Sequence, residues 1–568
     1  GGKMAFWGGE GFYPEFYLNA TYANLKNNMS RSSNKLFAWN VENTITYGNN
    51  FNGHDVNILL GQGAYQDDNP VGLTVVHSGL PTNDYKQASF NYDIPASDKT
   101  GYAYTSEPHR VSSLFARVNY NFSEKYLFTG IIRRDGSTNF GANNKYGIFP
   151  SFSLGWVVSE EKFWVDNVVI NFLKFRGGYG ATGNDRFRKF SYLSTIGGGR
   201  NYTFGPEGLI IYSGSSPDAP SNPDLKWEET RQTNVGFEAR LFEDMKFTFD
   251  WYQKTTIGIL QEVVLPGYVG SAGNPFANVA DMKNTGIELE LSYRKRFNQL
   301  NFNASGNFST LNNEVTFLGN GIDFITTQTA GFQSMGPVTR TQVGQPYNAF
   351  YGYQTDGIFQ NYDEINAYKN AEGTLIQPNA KPGDFKWVDS NEDGTITDED
   401  KVFLGNPIPK YTFGLTLNAD YKGLDLLIFA QGMAGNKIFQ GLRRLDILNS
   451  NYQTEALSRW HGEGTSDDYP RLTNLDENGN FGKMSDFYLQ NGDFLRLKLI
   501  QLGYTLPKGV SSKLGIDKIR LYLSAENIFT WTEYTGYDPE IGGDVSGIDK
   551  GYYPQAKSYN VGINVQFK

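Results

Sequence analysis

Residues 559–567 read Tyr-Asn-Val-Gly-Ile-Asn-Val-Gln-Phe, so that an apolar side chain alternates with asparagine, glycine or glutamine at every step. Successive side chains of a β-strand point to opposite faces, which gives this segment one face suited to hydrocarbon and one suited to water. Residues 519–526 alternate in the same way. The pattern predicts transmembrane strands of a β-barrel, with an outer face that meets lipid and a polar inner face.

The alternation recurs in pairs of segments joined by short connections, as expected for antiparallel hairpins. The pairs are 114–120 with 126–132, 233–241 with 247–251, 287–293 with 300–308, and 411–420 with 424–430. Longer segments rich in Gly, Asn, Asp, Ser and Pro separate the hairpins, such as 197–223 and 319–346. Short turns at one end and long loops at the other are typical of bacterial outer-membrane barrels, and strands of ~10 residues with such loops give roughly 14 to 16 strands.

A soluble β-sandwich or propeller, which also has alternating strands, is the alternative fold. No blade-length repeat is visible in the sequence, which argues against a propeller. Two segments inside long loops, 363–371 and 443–460, have locally helical patterns, and we predict short helices there. No stretch approaches the ~18 to 20 uninterrupted apolar residues of a transmembrane helix, so the sequence excludes a helical membrane protein.

The composition agrees with many strands and wide polar loops. The 568 residues include 9 Trp, 36 Tyr and 41 Phe but no Cys, and apolar residues make up only 39%. Aromatic girdles at two membrane interfaces would use this many rings. A formal net charge of −10 argues against a nucleic-acid-binding surface. The chain opens on Gly-Gly-Lys-Met without a signal peptide, so we expect it to continue a longer protein.

A series of short motifs follows one another along the chain. The motifs are Arg133-Arg134-Asp135-Gly136-Ser137, Phe149-Pro150-Ser151, Gly178–Asn184, Leu225-Lys226-Trp227-Glu228, Asn284–Glu288, Gly405-Asn406-Pro407, Tyr469–Leu472, Phe494–Leu497, Gly503–Pro507 and Ala525–Phe529. This ordered set resembles the SusC/RagA family, the TonB-dependent (TonB-linked) outer-membrane transporters of Bacteroidota. The resemblance extends from about Phe37 to the last residue, and the order of the motifs makes it specific.

The resemblance implies an all-β fold, a transmembrane antiparallel β-barrel of about 22 strands that encloses an N-terminal plug. It also implies TonB-dependent import of a large nutrient, a glycan or an oligopeptide, across the outer membrane together with a SusD-like surface lipoprotein. Residues 1–568 then form the C-terminal majority of the barrel with long extracellular loops, and the plug, the TonB-contacting segment and the first strands are absent. Because open strand edges are prohibitively costly in lipid, we expect the missing part to exist in the complete protein.

Two other functions stay open at this point, a passive porin and a barrel with a structural or adhesion role. The motifs and the large loops argue against the porin. Catalysis has no support, because the four His residues share no metal-ligand spacing and the Gly-rich stretches lack the Lys-Ser/Thr of a phosphate loop. We therefore expect a transporter and not an enzyme.

Residues 389–400 read Asp-Ser-Asn-Glu-Asp-Gly-Thr-Ile-Thr-Asp-Glu-Asp, which is the spacing of a calcium-binding loop. Oxygen-bearing side chains at the first, third, fifth and last positions, with Gly at the sixth, can wrap around Ca²⁺. The predicted ligands are Asp389, Asn391, Asp393, Asp400 and the backbone carbonyl of Thr395. Asp in place of the usual final Glu resembles dockerin-type loops and weakens bidentate ligation. We expect a structural ion; the alternative is an acidic surface turn that needs none.

Substrate contacts are expected at the mouth of the barrel, on the long loops. Aromatic rings there can stack on sugars, and Asn, Asp and Arg can bond hydroxyl or peptide groups. The candidates are Trp387, Tyr452, Trp460 and Tyr534. For each of them, packing within the loops or the aromatic girdle is the alternative.

Overall fold

The fold is all-β, with strands that are hydrogen-bonded mainly to their neighbours in sequence. The computed structural model describes residues 1–20, 22–165, 168–205, 210–263, 265, 268, 273–319, 321–326, 333, 335–443, 451–540 and 547–567. The strands over these residues are β1 (Gly2–Tyr13), β2 (Phe16–Asn19), β3 (Tyr22–Asn24), β4 (Asn28–Phe51), β5 (His54–Gln66), β6 (Val71–Ser78), β7 (Lys99–Thr105), β8 (Arg110–Phe122), β9 (Tyr126–Ser137), β10 (Tyr146–Val157), β11 (Ile170–Asn184), β12 (Ile196–Gly197), β13 (Tyr202–Phe204), β14 (Ile210–Tyr212), β15 (Ser216–Pro217), β16 (Glu228–Leu241), β17 (Met245–Glu262), β18 (Phe276–Phe297), β19 (Leu300–Thr310), β20 (Asn312–Leu318), β21 (Thr339–Arg340), β22 (Ala349–Gly352), β23 (Thr355–Ile358), β24 (Phe385–Trp387), β25 (Val402–Gly405), β26 (Tyr411–Tyr421), β27 (Leu424–Ala434), β28 (Lys437–Gln440), β29 (Leu489–Asn491), β30 (Phe494–Thr505), β31 (Ile516–Thr532), β32 (Ile548–Asp549) and β33 (Ser558–Phe567).

Helices are few and short. The two α-helices of the described part are α1 (Tyr362–Ala367) and α2 (Lys508–Ser511), and the 3₁₀ turns are Ala96–Asp98, Val158–Glu160, Asp398–Asp400, Thr454–Ser458, Asp486–Tyr488 and Ser512–Leu514. Helix α1 overlaps the predicted segment 363–371 but begins one residue earlier and ends at Ala367, and the Asn361 side chain caps it by accepting the Glu364 N–H at 3.0 Å. The second predicted helix, 443–460, contains only the turn Thr454–Ser458, and residues 444–450 of it lie outside the described residues.

No helix among the described residues is long and apolar enough to cross a membrane.

The chain divides into two compact units, of which unit 1 comprises Gly1–Ser153, Gly180–Thr230 and Gly258–Asn278. Within it β5 pairs with β4 and β8, and β8 pairs with β9, all antiparallel. Strand β4 has 24 residues; its first part pairs with β1 and β6, and its second part with β5. At about 3.3 Å per residue, β4 is about 80 Å long and exceeds the roughly 30 Å of a hydrocarbon core. Strand β4 is therefore too long to lie wholly within the hydrocarbon core.

Unit 2 comprises Leu154–Tyr179, Arg231–Ile257 and Val279–Lys568. Its antiparallel ladder runs β18–β19–β26–β27–β30–β31–β33. The predicted turn between β26 and β27 is confirmed: Tyr421 pairs with Leu424, and both Lys422 and Gly423 have positive φ, as a two-residue hairpin turn that follows the strand twist requires.

The two faces of the strands differ as the alternation predicts. On β33 the large apolar side chains Val561 and Ile563 are exposed, which fits a face that meets lipid. On the polar side of unit 2, Arg176 of β11 donates to Glu238 of β16 at 3.0 Å and also to Asp250 of β17. The exposed apolar side chains of β33 and the polar contacts of β11, β16 and β17 fit the alternation predicted from the sequence.

Candidate functional site

The long connections of unit 2 fold together into a small structure with its own core, which we call the folded loops. They comprise the described parts of 339–405, 437–491 and 533–556, the connections that follow β20, β27 and β31. Phe350, Phe439 and Ile548, one from each connection, are fully buried in one hydrophobic cluster. Strand β28 pairs with β29 of its own connection and, in parallel, with β32 of the last one. Three segments far apart in sequence are therefore held in one arrangement.

The four aromatic residues predicted to contact substrate all lie in the folded loops, but they differ in exposure. Trp387 is fully buried, and its Nε1 donates to the Asn478 carbonyl at 3.1 Å. Tyr534 is also buried, its hydroxyl donates to Asp549 at 2.6 Å, and burial raises its pKa. Both rings are packed in the interior of the folded loops, and substrate contact by Trp387 and Tyr534 stays a prediction.

The other two predicted residues keep some contact with solvent. Trp460 is half-buried, and its Nε1 donates to Gln360 Oε1 at 3.1 Å. Tyr452 is 39% exposed and retains ring surface that a ligand could meet. Of the four candidates, Tyr452 is thus the one with the most accessible ring.

The predicted calcium loop is an ordered turn in which backbone N–H groups bond its carboxylates. Asp389 accepts the N–H groups of Asp393 at 3.2 Å and Gly394 at 2.8 Å. Asp400 is fully buried and accepts the N–H groups of Ser390 at 2.8 Å and Thr397 at 2.7 Å. The carboxylates therefore already fix the backbone of the loop.

The residues of this loop meet some of the requirements of a Ca²⁺ site. Gly394, the sixth residue, has φ +85°, and a Cβ there would approach Asn370 at 2.6 Å, so the position requires glycine. Hydrogen bonds from Thr395 and Asn391 lower the pKa of Asp393 and keep it ionised. Across the described residues, however, no three His, Cys, Asp or Glu side chains are arranged to hold a metal. Calcium binding by Asp389, Asn391, Asp393, Thr395 and Asp400 stays a prediction.

A cavity of about 550 Å³ opens in the folded loops. Its walls combine aromatic rings with one basic and several acidic side chains. The lining residues that matter here are Phe385, Tyr469 and Phe487, Arg443, Glu455, Asp467, Asp468 and Asp486. Such a wall offers rings for stacking and carboxylates for hydroxyl or ammonium groups, so its chemistry suits a polar organic ligand.

Internal contacts fix most of the charged groups of this cavity. Arg443 donates to Glu455 at 2.6 Å and to the Phe487 carbonyl at 2.6 Å, and its guanidinium lies 4.7 Å from the Phe487 ring centre. Asp486 accepts the N–H of Thr355 at 3.1 Å and its hydroxyl at 2.9 Å. The carboxylate of Asp468, in contrast, is on an exposed residue of the lining.

Burial sets the protonation of two groups in the cavity wall. Desolvation raises the pKa of the Asp486 carboxyl, despite the hydrogen bonds from Thr355 that act against it. Burial raises the pKa of Tyr469 to about 12, so its hydroxyl remains neutral and can donate a hydrogen bond. The wall thus presents a neutral phenol beside carboxylates. The arrangement can bind a ligand but holds no activated nucleophile.

Arg443, Glu455, Asp468 and Asp486 were not among the site residues predicted from the sequence. All four lie on the connection between β27 and β30, spread over residues 443–486, and only the folding of this connection brings them to one cavity. One signal was present in the sequence, since the motif Tyr469–Leu472 begins at a residue of the cavity wall.

The chain matches a family of known proteins. Residues 6–378 match the family described as TonB dependent receptor-like, beta-barrel. The chain belongs to this family. The barrel family is one of outer-membrane proteins, which places this barrel in the outer membrane, and the relatives are receptors and transporters, not enzymes.

Two relatives of this receptor barrel show how much of a longer protein it spans. TonB-dependent receptor SusC of Bacteroides thetaiotaomicron is 30% identical over 552 residues, which cover 94% of this chain and 51% of SusC. TonB-dependent receptor P3 of Formosa agariphila is 29% identical over 546 residues, 93% of this chain and 52% of P3. The barrel chain therefore spans about half the length of the curated relatives it matches.

The receptor barrel also has the fold of a solved transporter. The structure of the RagAB peptide transporter superposes with a TM-score of 0.81 at 23% identity, over 99% of this chain and 59% of the RagAB chain. Together with the SusC match, this confirms the resemblance to SusC and RagA drawn from the ordered motifs.

Proposed function

We propose that this chain is the barrel part of a SusC-type importer that brings a large nutrient across the outer membrane in a TonB-dependent manner. Support comes from the family match and from the folded loops, whose core positions a polar cavity of about 550 Å³. A passive porin, the first alternative, needs a polar lumen but no separately folded loops. The cavity is the observation that carries the proposal of ligand capture.

The partners follow from the relatives and are part of the same proposal. Because the relatives are about twice as long, we propose that a plug and a TonB-binding segment precede these residues in the complete protein. A SusD-like lipoprotein would cover the loops from outside. The barrel would then have its full number of strands, about 22 in transporters of this type.

The proposed nutrient is a glycan or an oligopeptide. Aromatic rings and carboxylates in the cavity suit both, since rings stack on sugar faces and carboxylates accept hydrogen bonds from hydroxyl and ammonium groups. The likeness to the RagAB peptide transporter, at 23% identity, concerns the fold and does not select between the two.

Growth of a deletion strain on single nutrients tests the proposal. Loss of growth on one glycan or peptide mixture, restored by the complete protein but not by a version without its TonB-binding segment, is the expected result. Restoration by both versions would support a porin and contradict energy coupling. Unchanged growth on every nutrient would support the structural or adhesion role instead.

A further inference from the structure

Four segments of unit 1 meet at the buried imidazole of His109, at the end of the strands where the long connections begin. His109 lies between β7 and β8 and is 5% exposed. Its Nε2 is 2.7 Å from Asp185, just after β11, and 3.1 Å from the Ser137 hydroxyl at the end of β9. Its Nδ1 is 3.4 Å from Asp67, which follows β5. One ring thus has a carboxylate at each nitrogen.

Asp185 is the first residue of the connection that runs from β11 to β16, so this contact fixes where the connection starts. The Asn139 side chain supports it by donating to the Asp185 carbonyl at 3.0 Å. Phe187, two residues on, packs its ring against buried Phe140 at 5.4 Å. Phe140 also packs against Trp227, at the far end of the same connection, at 5.0 Å. Both ends of this connection therefore converge beside the His109 cluster.

The geometry of these groups does not fit a hydrolytic site or a metal site. The contacts of His109 with Ser137 and Asp185 resemble those of a hydrolytic Ser-His-Asp site. Ser137 is fully buried, however, and its Oγ accepts the Asn139 N–H at 3.1 Å. Asp185 and Ser137 both contact Nε2 of His109, whereas in a hydrolytic site the Asp and the Ser contact different nitrogens of the ring. In the described part of the chain, no group of three or more acidic, His or Cys side chains is arranged to hold a metal.

We propose that His109 is a protonation-dependent latch that closes the base of the 185–227 connection when the imidazole is charged and releases it when the imidazole is neutral. A charged imidazole donates from both nitrogens and can bond Asp67 and Asp185 at once, whereas a neutral one donates from only one. The neutral ring would leave one carboxylate without its donor. The latch is therefore tightest with His109 protonated.

The surrounding charges favour the protonated form. The hydrogen bond to Asp185 raises the pKa of His109 above its usual 6.5, more than burial lowers it. Burial alone would raise the pKa values of Asp185 and Asp67, but hydrogen bonds, including those from His109, lower both.

The other groups near the ring are neutral, paired or more distant. Tyr65 of β5 meets it edge-on at 6.2 Å, and Arg133 of β9 is paired with Asp135 at 2.7 Å. Lys189, on the long connection, donates to the Glu107 carbonyl at 2.9 Å.

The direction of the pH effect follows from these shifts. Because the pKa of His109 is raised in the folded state, its stabilising contribution is complete below the unfolded value near 6.5 and is lost as the pH rises through the folded value. The pKa values of Asp185 and Asp67 are lowered, so both stay ionised in mild acid. Their stabilising contribution is lost only when the pH falls through those lowered values. The latch is closed in mild acid and opens toward alkaline pH.

Hydrogen exchange in the complete protein, held in detergent micelles or nanodiscs, tests the latch. After correction for intrinsic exchange rates, peptides covering 105–112 and 183–192 should lose protection as the pH rises, by up to about tenfold per pH unit above the His109 pKa because one proton is released. His109→Asn should abolish this pH dependence. The control His461→Asn, at an exposed residue of unit 2, should leave it unchanged. An unaltered pH profile in His109→Asn would overturn the proposal.

Two further measurements keep the test decisive if His109→Asn folds poorly. Exchange of the histidine C2 hydrogens in the wild-type protein reports each pKa directly, and His109 is the one histidine of the peptide 105–112. A His109 pKa at or below 6.5 would refute the latch. Asp185→Asn removes the largest cause of the raised pKa and should move the loss of protection to lower pH; an unmoved transition would contradict the role given to Asp185.

Discussion

Arg471 holds the fully buried carboxylate of Asp384 with two nitrogens, at 2.6 and 3.3 Å, and so joins two connections of the folded loops. Asn480 adds a third hydrogen bond to Asp384 at 2.9 Å. A buried carboxylate that loses its cationic partner is strongly destabilised. We predict that Arg471→Met lowers the free energy of local unfolding of the folded loops by about 3 kcal/mol, measured by hydrogen exchange.

The matched control is a second ion pair between the same two connections, Lys381 with Glu477 at 2.8 Å, in which both side chains are about half exposed. Exposed pairs contribute about 0 to 1 kcal/mol, so Lys381→Met should change the opening free energy little. Equal effects of the two substitutions would contradict the importance assigned to burial of Asp384.

The burial of Trp387 gives a second prediction. Its ring contacts Tyr353 and Phe385 in the core of the folded loops, so Trp387→Ala should destabilise them by about 3–5 kcal/mol through the cavity it leaves. Tyr452→Ala should destabilise the folded loops less than Trp387→Ala does, because Tyr452 is 39% exposed and its truncation leaves a smaller cavity. Limited proteolysis of the two variants compares them directly. If Trp387→Ala keeps the loops intact and weakens only ligand uptake, the ring is a ligand contact after all.

The strands could be predicted from the sequence because their side-chain period is strictly two and their short turns have a local signature. The hairpin at Lys422-Gly423 depends on a few adjacent residues, all of which are visible in sequence. The pairing of the 24-residue β4 was harder to predict from the sequence. Its two parts pair with different neighbours, and pairing is a non-local property.

The interior of the loops could not be predicted for the same reason. An aromatic residue in a long polar segment can belong to a girdle, a core or a ligand site, and its own neighbours in sequence do not distinguish these. Trp387 and Tyr452 looked alike in sequence, yet one is fully buried and the other exposed. Burial is set by partners such as Asn478, about ninety residues away from Trp387.

The calcium prediction can be tested within one loop. Asp389→Asn removes a predicted ligand charge and should reduce Ca²⁺ affinity at least tenfold by isothermal titration. Glu392→Gln, in the same loop but at a position that supplies no ligand, is the control and should bind as the wild type does. If the wild type takes up no Ca²⁺, or if both variants bind equally, the loop is an acidic turn. Its backbone hydrogen bonds to Asp389 and Asp400 would then be its whole role.

The cavity of the folded loops yields the prediction closest to transport. Asp468 lies on its wall at an exposed position, so Asp468→Asn should leave the fold intact while removing a charged acceptor from the ligand. A hydrogen bond to a charged group contributes about 1.5–3 kcal/mol, which corresponds to a loss of at least about tenfold in affinity. Once the nutrient is identified by growth, uptake at limiting concentration should therefore fall in this variant. Asp363→Asn, in the exposed first turn of α1 and outside the cavity lining, provides the control for charge alone. If both variants take up the nutrient equally well, capture occurs elsewhere on the barrel.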